Sequence, residues 1–142
     1  VVIKASSSIV KDIATEIAKQ FGFPTYKRLA TGPQARTDRM PRKVKGQGET
    51  KDIYECILIA VAETGPKPVI TYNEIRDSLR SIILDDDIPQ KHQVSNALGQ
   101  MTKIAQNDMD GEPVLEWRDD TLYITDPHLL FYMRWQLRVE SA

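Results

Sequence analysis

Apolar residues in the first part of the chain recur every three or four positions, which is the period of one helix face. The stripe along residues 8–21 consists of Ile9, Val10, Ile13, Ala14, Ile17 and Ala18. Gly22 suits a left-handed cap at the end of this predicted helix, and Pro24 prevents the helix from continuing. A shorter helix is expected over residues 25–30.

The next stretch, residues 33–50, has almost no apolar period and contains two prolines and two glycines. This composition predicts a flexible linker. Its five cations are Arg36, Arg39, Arg42, Lys43 and Lys45. They form the most phosphate-attractive segment of the chain, and the alternative is a solvated linker extended by its own charge.

Three further helices are predicted after residue 51. The first carries an apolar face and ends near Thr64. The second spans Thr71–Ile83, because Thr71 and Glu74 have the spacing of a capping box. The third spans Pro89–Gln106 and carries an apolar stripe of Val94, Leu98, Met101 and Ala105.

Residues 114–125, VLEWRDDTLYIT, alternate as a β-hairpin does. With a two-residue turn at 119–120, Trp117 faces Leu122 and Leu115 faces Ile124. A slip of one residue would scramble this agreement, so the register is well specified.

A last helix is expected to begin at Pro127, with Asp126 as its cap. Leu130, Met133 and Leu137 align on one face and should point inward. The remaining face is a candidate protein-interaction surface and contains Tyr132, Arg134 and Trp135.

The predicted order of helix, helix, helix, hairpin and helix is that of a winged helix-turn-helix domain. We therefore expect a mainly α fold with a small β-hairpin (α+β). The expected organisation is a helical lid-like segment over residues 1–32, a basic linker over 33–50 and a winged-helix domain over 51–142.

Two segments resemble the C-terminal region of AAA+-type ATPases. QFGFPTYKRL, residues 20–29, resembles the lid subdomain. Residues 51–138 resemble the winged-helix domain that follows such lids in archaeal origin-recognition and many prokaryotic AAA ATPases, in which a strand leads into Asp-Pro and an aromatic-rich helix. The matching residues here are Leu122–Trp135, with Asp126-Pro127 and Arg134.

The resemblance implies a C-terminal piece of a nucleotide-driven switch protein, with the ATPase core upstream of Val1. The chain has no GxxxxGK[ST] phosphate loop, so we do not expect it to hydrolyse ATP. ATP and magnesium are expected only in that upstream core. Lys27 and Arg28 are the nearest lid cations that could reach a nucleotide, and the spacing does not choose between them.

The composition of the chain further restricts the class of protein to which it could belong. No apolar run approaches the roughly 20 residues that span a bilayer. One cysteine, Cys56, excludes an internal disulfide and a zinc site built from cysteines. With no export signal visible, we expect a cytoplasmic protein.

Catalytic and metal chemistry find little support in the sequence. His92 and His128 are 36 residues apart, and the chain has no HxxxH, HExxH or CxxC spacing. Cys56 sits on an amphipathic helix and is expected to be a small core or boundary residue rather than a catalytic one. Asp85–Asp87 lack the glycine and distal glutamate of a calcium loop, so a solvated turn is the better interpretation.

Nucleic-acid binding is supported by the polar face of the third helix. Its candidate contacts, with one cation at the hairpin tip, are Lys91, His92, Gln93, Ser95, Asn96, Gln100, Lys103 and Arg118. Glutamine and asparagine can read adenine, and lysine or serine can hold phosphates. The alternative is that these residues form an ordinary solvated helix face.

Charge argues against a simple DNA-binding domain. Residues 1–50 carry ten Lys and Arg against four Asp and Glu, a net +6, whereas residues 51–142 carry nine against sixteen, a net −7. Duplex DNA repels an acidic domain unless its cations cluster on one face. Two hypotheses therefore remain: a region that binds double-stranded DNA, and a protein-interaction or autoregulatory module that packs on the ATPase core or a neighbouring subunit.

Overall fold

The computed structural model describes residues 7–33, 41–45, 50–107 and 113–137. The fold is mostly helical with small antiparallel sheets, in agreement with the predicted α+β class. The helices are α1 (Ser7–Ile17), α2 (Phe23–Thr31), α3 (Ile53–Glu63), α4 (Tyr72–Ile82), α5 (Lys91–Asn107) and α6 (Pro127–Tyr132). The strands are β1 (Arg42–Lys43), β2 (Thr50–Lys51), β3 (Val69–Thr71), β4 (Leu115–Arg118) and β5 (Thr121–Ile124). Short π-helical segments span Ala18–Gly22 and Met133–Leu137, and a 3-10 turn spans Asp85–Asp87.

Side-chain caps start α4 and α6 where the sequence predicts them, and α3 has a cap that the sequence interpretation did not name. The carboxylate of Asp52 accepts the Glu55 N–H at 3.0 Å and caps α3. The hydroxyl of Thr71 accepts the Glu74 N–H at 3.3 Å and caps α4. Asp126 caps α6 by accepting the His128 N–H at 3.1 Å. These local bonds satisfy amides that the first helical turn leaves without partners.

The hairpin has the predicted register. Leu115 pairs with Ile124 and Trp117 with Leu122. Asp119 and Asp120 have φ of 52° and 54°, the left-handed values that a two-residue type I′ turn requires. The structure adds a third strand that the sequence interpretation missed, because β3 pairs with β5 and the strand order is β3-β5-β4.

The expectation of a flexible linker is wrong for residues 41–45. Arg42 and Lys43 form β1, which pairs with β2. Val44 is buried and bridges to Ile83. The side chain of Arg42 is only 5% exposed, and its guanidinium donates to the backbone carbonyl of Asp87. Local periodicity could not predict that residues 41–45 are structured, because they are held by contacts with β2 and with the end of α4, which are farther along the sequence.

Gly22 has a different role from the predicted left-handed cap. Its φ is −91°, and the chain continues through the π-helical segment directly into α2. A Cβ at this position would lie 2.4 Å from the carbonyl oxygen of His128 and 2.6 Å from the Cβ of Tyr132. Gly22 therefore permits backbone contact with α6.

One buried cluster connects most of these elements. Eight residues of α3 are buried in its centre, and α4, α5 and the three-stranded sheet surround it. Leu29 and Ala30 of α2 belong to the same cluster. Helix α2 therefore packs on the same core as α3.

The inward face of α6 differs from the predicted one. Leu129 and Met133 are fully buried and Tyr132 is 8% exposed, whereas Leu130 and Leu137 are only partly buried. The prediction was right for Met133 and wrong for Tyr132, which was assigned to the outer face. The rings of Tyr26 and Phe23 hold Tyr132 inward, with centroids 5.0 Å and 5.7 Å away.

Candidate interaction surfaces

The polar candidates on α5 are accessible to different degrees. Lys91, His92, Asn96 and Lys103 are exposed, whereas Gln93, Ser95 and Gln100 are partly buried. The amide oxygen of Gln93 accepts the Gln90 N–H at 2.9 Å, so this side chain also supports the first turn of the helix. Together with Arg118 of β4, these residues define the α5–hairpin face.

Lys91 joins α5 to the hairpin tip. Its Nζ lies 2.9 Å from a carboxylate oxygen of Asp120 and 5.1 Å from the centroid of the Tyr72 ring. Both partners of this ion pair are more than half exposed, so the pair contributes about 0–1 kcal/mol. The carboxylate of Asp120 does, however, offset the positive charge that Lys91 would otherwise present to a phosphate.

Arg118 lies over an aromatic ring and near carboxylates, without a close ion pair of the kind that Lys91 makes. Its guanidinium carbon lies 4.9 Å from the centroid of the Tyr123 ring. A hydrogen bond with Tyr123, together with the charge of Glu116 and more weakly Asp119, raises the pKa of Arg118. Two of the three cations proposed to meet DNA on this face thus lie beside carboxylates.

The basic stretch before β2 is divided by the fold. Lys43 and Lys45 are exposed, and the amide of Lys43 donates to the side chain of Asp87 at 2.7 Å. Arg42 is buried and therefore not available to a phosphate, which corrects its assignment as a phosphate contact. Arg36 and Arg39 lie outside the described residues.

A second surface is apolar, and we call it the α1–α6 surface. Its half-exposed side chains come from α1, α6 and the π-helical segment that follows α6, and they are Val10, Ile13, Ile17, Phe131 and Trp135. Val10, Ile13 and Ile17 line one groove with Pro127, His128 and Phe131. A neighbouring depression contains Val10 and Trp135, so the surface is continuous.

Two of the three predicted interaction residues lie in or beside this surface. Trp135 is 44% exposed. Arg134 is exposed, and its Nε donates to the carbonyl of Gly65 at 3.2 Å, which holds the side chain beside Phe131 and Pro66. The third, Tyr132, is buried, as described above.

Sequence reasoning missed the exposure of α1. The isoleucine stripe was predicted correctly as a helical face, and such a stripe ordinarily faces the core. In the structure Ile9, Ile13 and Ile17 are 53%, 56% and 40% exposed. The pattern of one helix does not reveal whether another element covers it.

Other chemistry has less support among the described residues. Cys56 is fully buried, and burial raises its pKa to about 11. No cluster of three or more His, Cys, Asp or Glu side chains in the described segments is arranged to hold a metal ion. None of the described helices is both long and apolar enough to cross a membrane.

Comparison of the chain with protein-family models, with curated proteins and with solved structures found no match.

Proposed function

We propose that this chain is a protein-interaction module of an AAA+-type ATPase, in which the α1–α6 surface binds another protein surface. In this proposal α3, α4, α5 and the β4–β5 hairpin form a winged helix-turn-helix unit. The succession of α3, β3, α4, α5 and hairpin, with strand order β3-β5-β4, supports that assignment.

The exposed apolar surface is the observation that carries the proposal. Apolar side chains that are exposed singly are ordinary, whereas a contiguous exposed group of them marks an interaction site. Fully burying one such side chain contributes roughly 1.5–3 kcal/mol, so covering the exposed half of each contributes about 1 kcal/mol. Five such side chains therefore contribute about 5 kcal/mol, which offsets part of the entropic cost of association, so the partner must add further contacts.

The partner surface in this proposal is the ATPase core or a neighbouring subunit. Binding there would couple the module to nucleotide turnover or to assembly, because any contact that differs between two states shifts their equilibrium. The test places Ile13→Glu and Phe131→Glu in the ATPase that carries the module and measures ATP turnover, nucleotide affinity and sedimentation.

Both substitutions should change turnover or assembly, because each puts a carboxylate into the contact. Leu84→Glu is the matched control, since Leu84 is an apolar residue of similar exposure outside this surface. Unchanged turnover, affinity and assembly in both surface variants would refute the proposal.

DNA binding by the α5–hairpin face is the second candidate. It is favoured by the exposure of Lys91, His92, Asn96 and Lys103 on one helix that is joined to the hairpin tip. Asparagine can contact adenine, and the lysines can meet phosphates. The carboxylates beside Lys91 and Arg118 weaken this candidate relative to the first.

Titration of labelled duplex DNA at low salt tests the second candidate. Binding should be lost when Lys91, Lys103 and Arg118 are replaced by glutamate, and it should be retained in the control Lys11→Glu, which alters a cation on α1. DNA binding that survives the triple replacement unchanged, or no binding at low salt, would exclude this face as a DNA site.

A further inference from the structure

The groove of the α1–α6 surface has the form of a helix-binding site. Val10, Ile13 and Ile17 follow one another at i, i+3 and i+7 along one wall, and Pro127 and Phe131 form the other. The wall residues from Val10 to Ile17 span eight positions of α1, which at 1.5 Å per residue is about 12 Å. A partner helix would therefore be covered along about two turns of its apolar stripe.

The charged side chains that line the two depressions beside this groove are both cations, although α1 also carries the exposed carboxylates of Asp12 and Glu16. Lys11 lies in the depression that Val10 and Trp135 share at one end. Arg134 lies in the depression beside Phe131 and Pro66. No Asp or Glu is among the described residues that line these two depressions or the groove.

From these two observations we infer that the groove binds an amphipathic helix with acidic flanks from a partner protein. This inference rests on the proposed protein-interaction function and specifies its partner. The partner's apolar stripe packs between α1 and α6, and its carboxylates meet Lys11 and Arg134. A basic amphipathic helix has the wrong charge for the same groove.

A second copy of this chain fits less well. The charged residues of α1 itself are Lys11, Asp12, Glu16 and Lys19, two of each sign. A copy of α1 laid in the groove would bring as many cations as carboxylates to the rim. Lys11 and Arg134 would then gain no net attraction from the second copy.

The experiment uses two synthetic 18-residue helical peptides with the 142-residue chain. Both carry the same leucine stripe at i, i+3, i+4 and i+7, and the flanks are glutamate in one peptide and lysine in the other. Fluorescence anisotropy at low salt should show the glutamate peptide binding about fivefold or more tightly, since Lys11 and Arg134 attract its carboxylates and repel the lysines of the other peptide. High salt should reduce that preference.

Variants assign the binding to this groove. Ile13→Glu and Phe131→Glu should each weaken binding of the glutamate peptide at least about tenfold, because a carboxylate then enters the apolar contact. Lys11→Glu with Arg134→Glu should reverse the preference in favour of the lysine peptide. Leu84→Glu should bind as the wild type does, and thermal unfolding should show that all variants are folded.

Three outcomes would overturn the inference. The lysine peptide binds as tightly as the glutamate peptide, or binding is indifferent to Ile13 and Phe131. Alternatively, the chain alone sediments as a dimer that Ile13→Glu dissociates, in which case a second copy is the occupant. If neither peptide binds while the surface variants still alter ATP turnover or assembly, the inference about the partner helix is refuted and the proposed function stands.

Discussion

Gly22 and Arg42 are single residues whose roles depend on partners far away in the sequence. Gly22 brings the backbone of the π-helical segment against α6, and Arg42 is buried against the turn at Asp87. Neither residue has a local signature of this role. A glycine two residues before a proline resembles a helix cap, and an arginine among other cations resembles part of a solvated linker.

Gly22→Ala should destabilise the protein by about 1–3 kcal/mol, because the new methyl group overlaps the backbone of His128. Gly99→Ala is the matched control. It adds the same methyl group inside α5, where nothing lies within 4 Å, and should stabilise the helix by roughly 0.5–1 kcal/mol. Urea unfolding of the two variants measures both effects, and equal stabilities would contradict the close contact at Gly22.

Cys56 should be unreactive towards thiol reagents in the folded protein at pH 8. The side chain is fully buried, and burial raises its pKa to about 11, so little thiolate is present. Labelling with an aromatic disulfide should become fast only in denaturant. Rapid labelling of the native chain would show that α3 opens readily.

The raised pKa of Cys56 also makes the stability of the protein depend on pH. The unfolded thiol ionises near its ordinary pKa of about 9, whereas the folded thiol keeps its proton until about 11. The unfolded state therefore binds fewer protons in this window, and stability falls as pH rises from 9 to 11, by at most about 1.4 kcal/mol per pH unit. Cys56→Ala should lack this component, which the difference between the two unfolding curves measures.

At the scale of elements, one hydroxyl joins α5 to the backbone of β4 beside their apolar contacts. Thr102 is buried, and its Oγ1 donates to the Leu98 carbonyl at 2.9 Å and accepts the Trp117 N–H at 2.8 Å. The second bond satisfies a backbone amide of β4 from a helix side chain. The contact fixes the hairpin against α5 and so sets the geometry of the α5–hairpin face.

Thr102→Val should cost about 1–3 kcal/mol, because the Trp117 amide loses its acceptor in a partly buried site. Thr102→Ser keeps the hydroxyl and should retain more of the stability. Urea unfolding followed by far-UV circular dichroism compares the two. A Thr102→Val protein as stable as the serine variant would show that water replaces the hydroxyl.

Elements that rest on local chemistry were predictable from the sequence. The caps at Thr71 and Asp126 and the hairpin register follow from residues close together in the chain. Strand β3 was missed because its three residues are a strand only by pairing with β5, some fifty residues later. The predicted inward face of α6 was partly wrong, because contacts with Tyr26 and Phe23 of α2 turn Tyr132 inward.

At the scale of the whole molecule, the α1–α6 surface should bind a hydrophobic dye in the native state. Fluorescence of an anilinonaphthalene sulfonate should fall in Ile13→Glu and Phe131→Glu and remain unchanged in Leu84→Glu. The melting temperatures should change little, because these side chains are already about half exposed and such surface substitutions usually alter stability by less than about 0.5 kcal/mol. A large loss of stability would instead place these residues in the core.

The candidate surfaces were predictable only in part. Sequence identified the polar residues of α5, and it identified Arg134 and Trp135 near the end of α6. It did not identify the carboxylate of Asp120 as a neighbour of Lys91, because the hairpin turn brings the two residues together from distant parts of the chain. It did not identify α1 as part of an exposed surface either.

The sequence by itself determined the starts of α4 and α6, the hairpin turn and its register, because caps, positive-φ positions and alternation act within a few residues. Only the tertiary structure decided that Arg42 is buried, that Gly22 touches α6 and that the isoleucines of α1 stay exposed. Burial depends on which elements meet, and periodicity describes one element at a time. For that reason an apolar stripe that predicts a core helix also forms the main candidate binding surface.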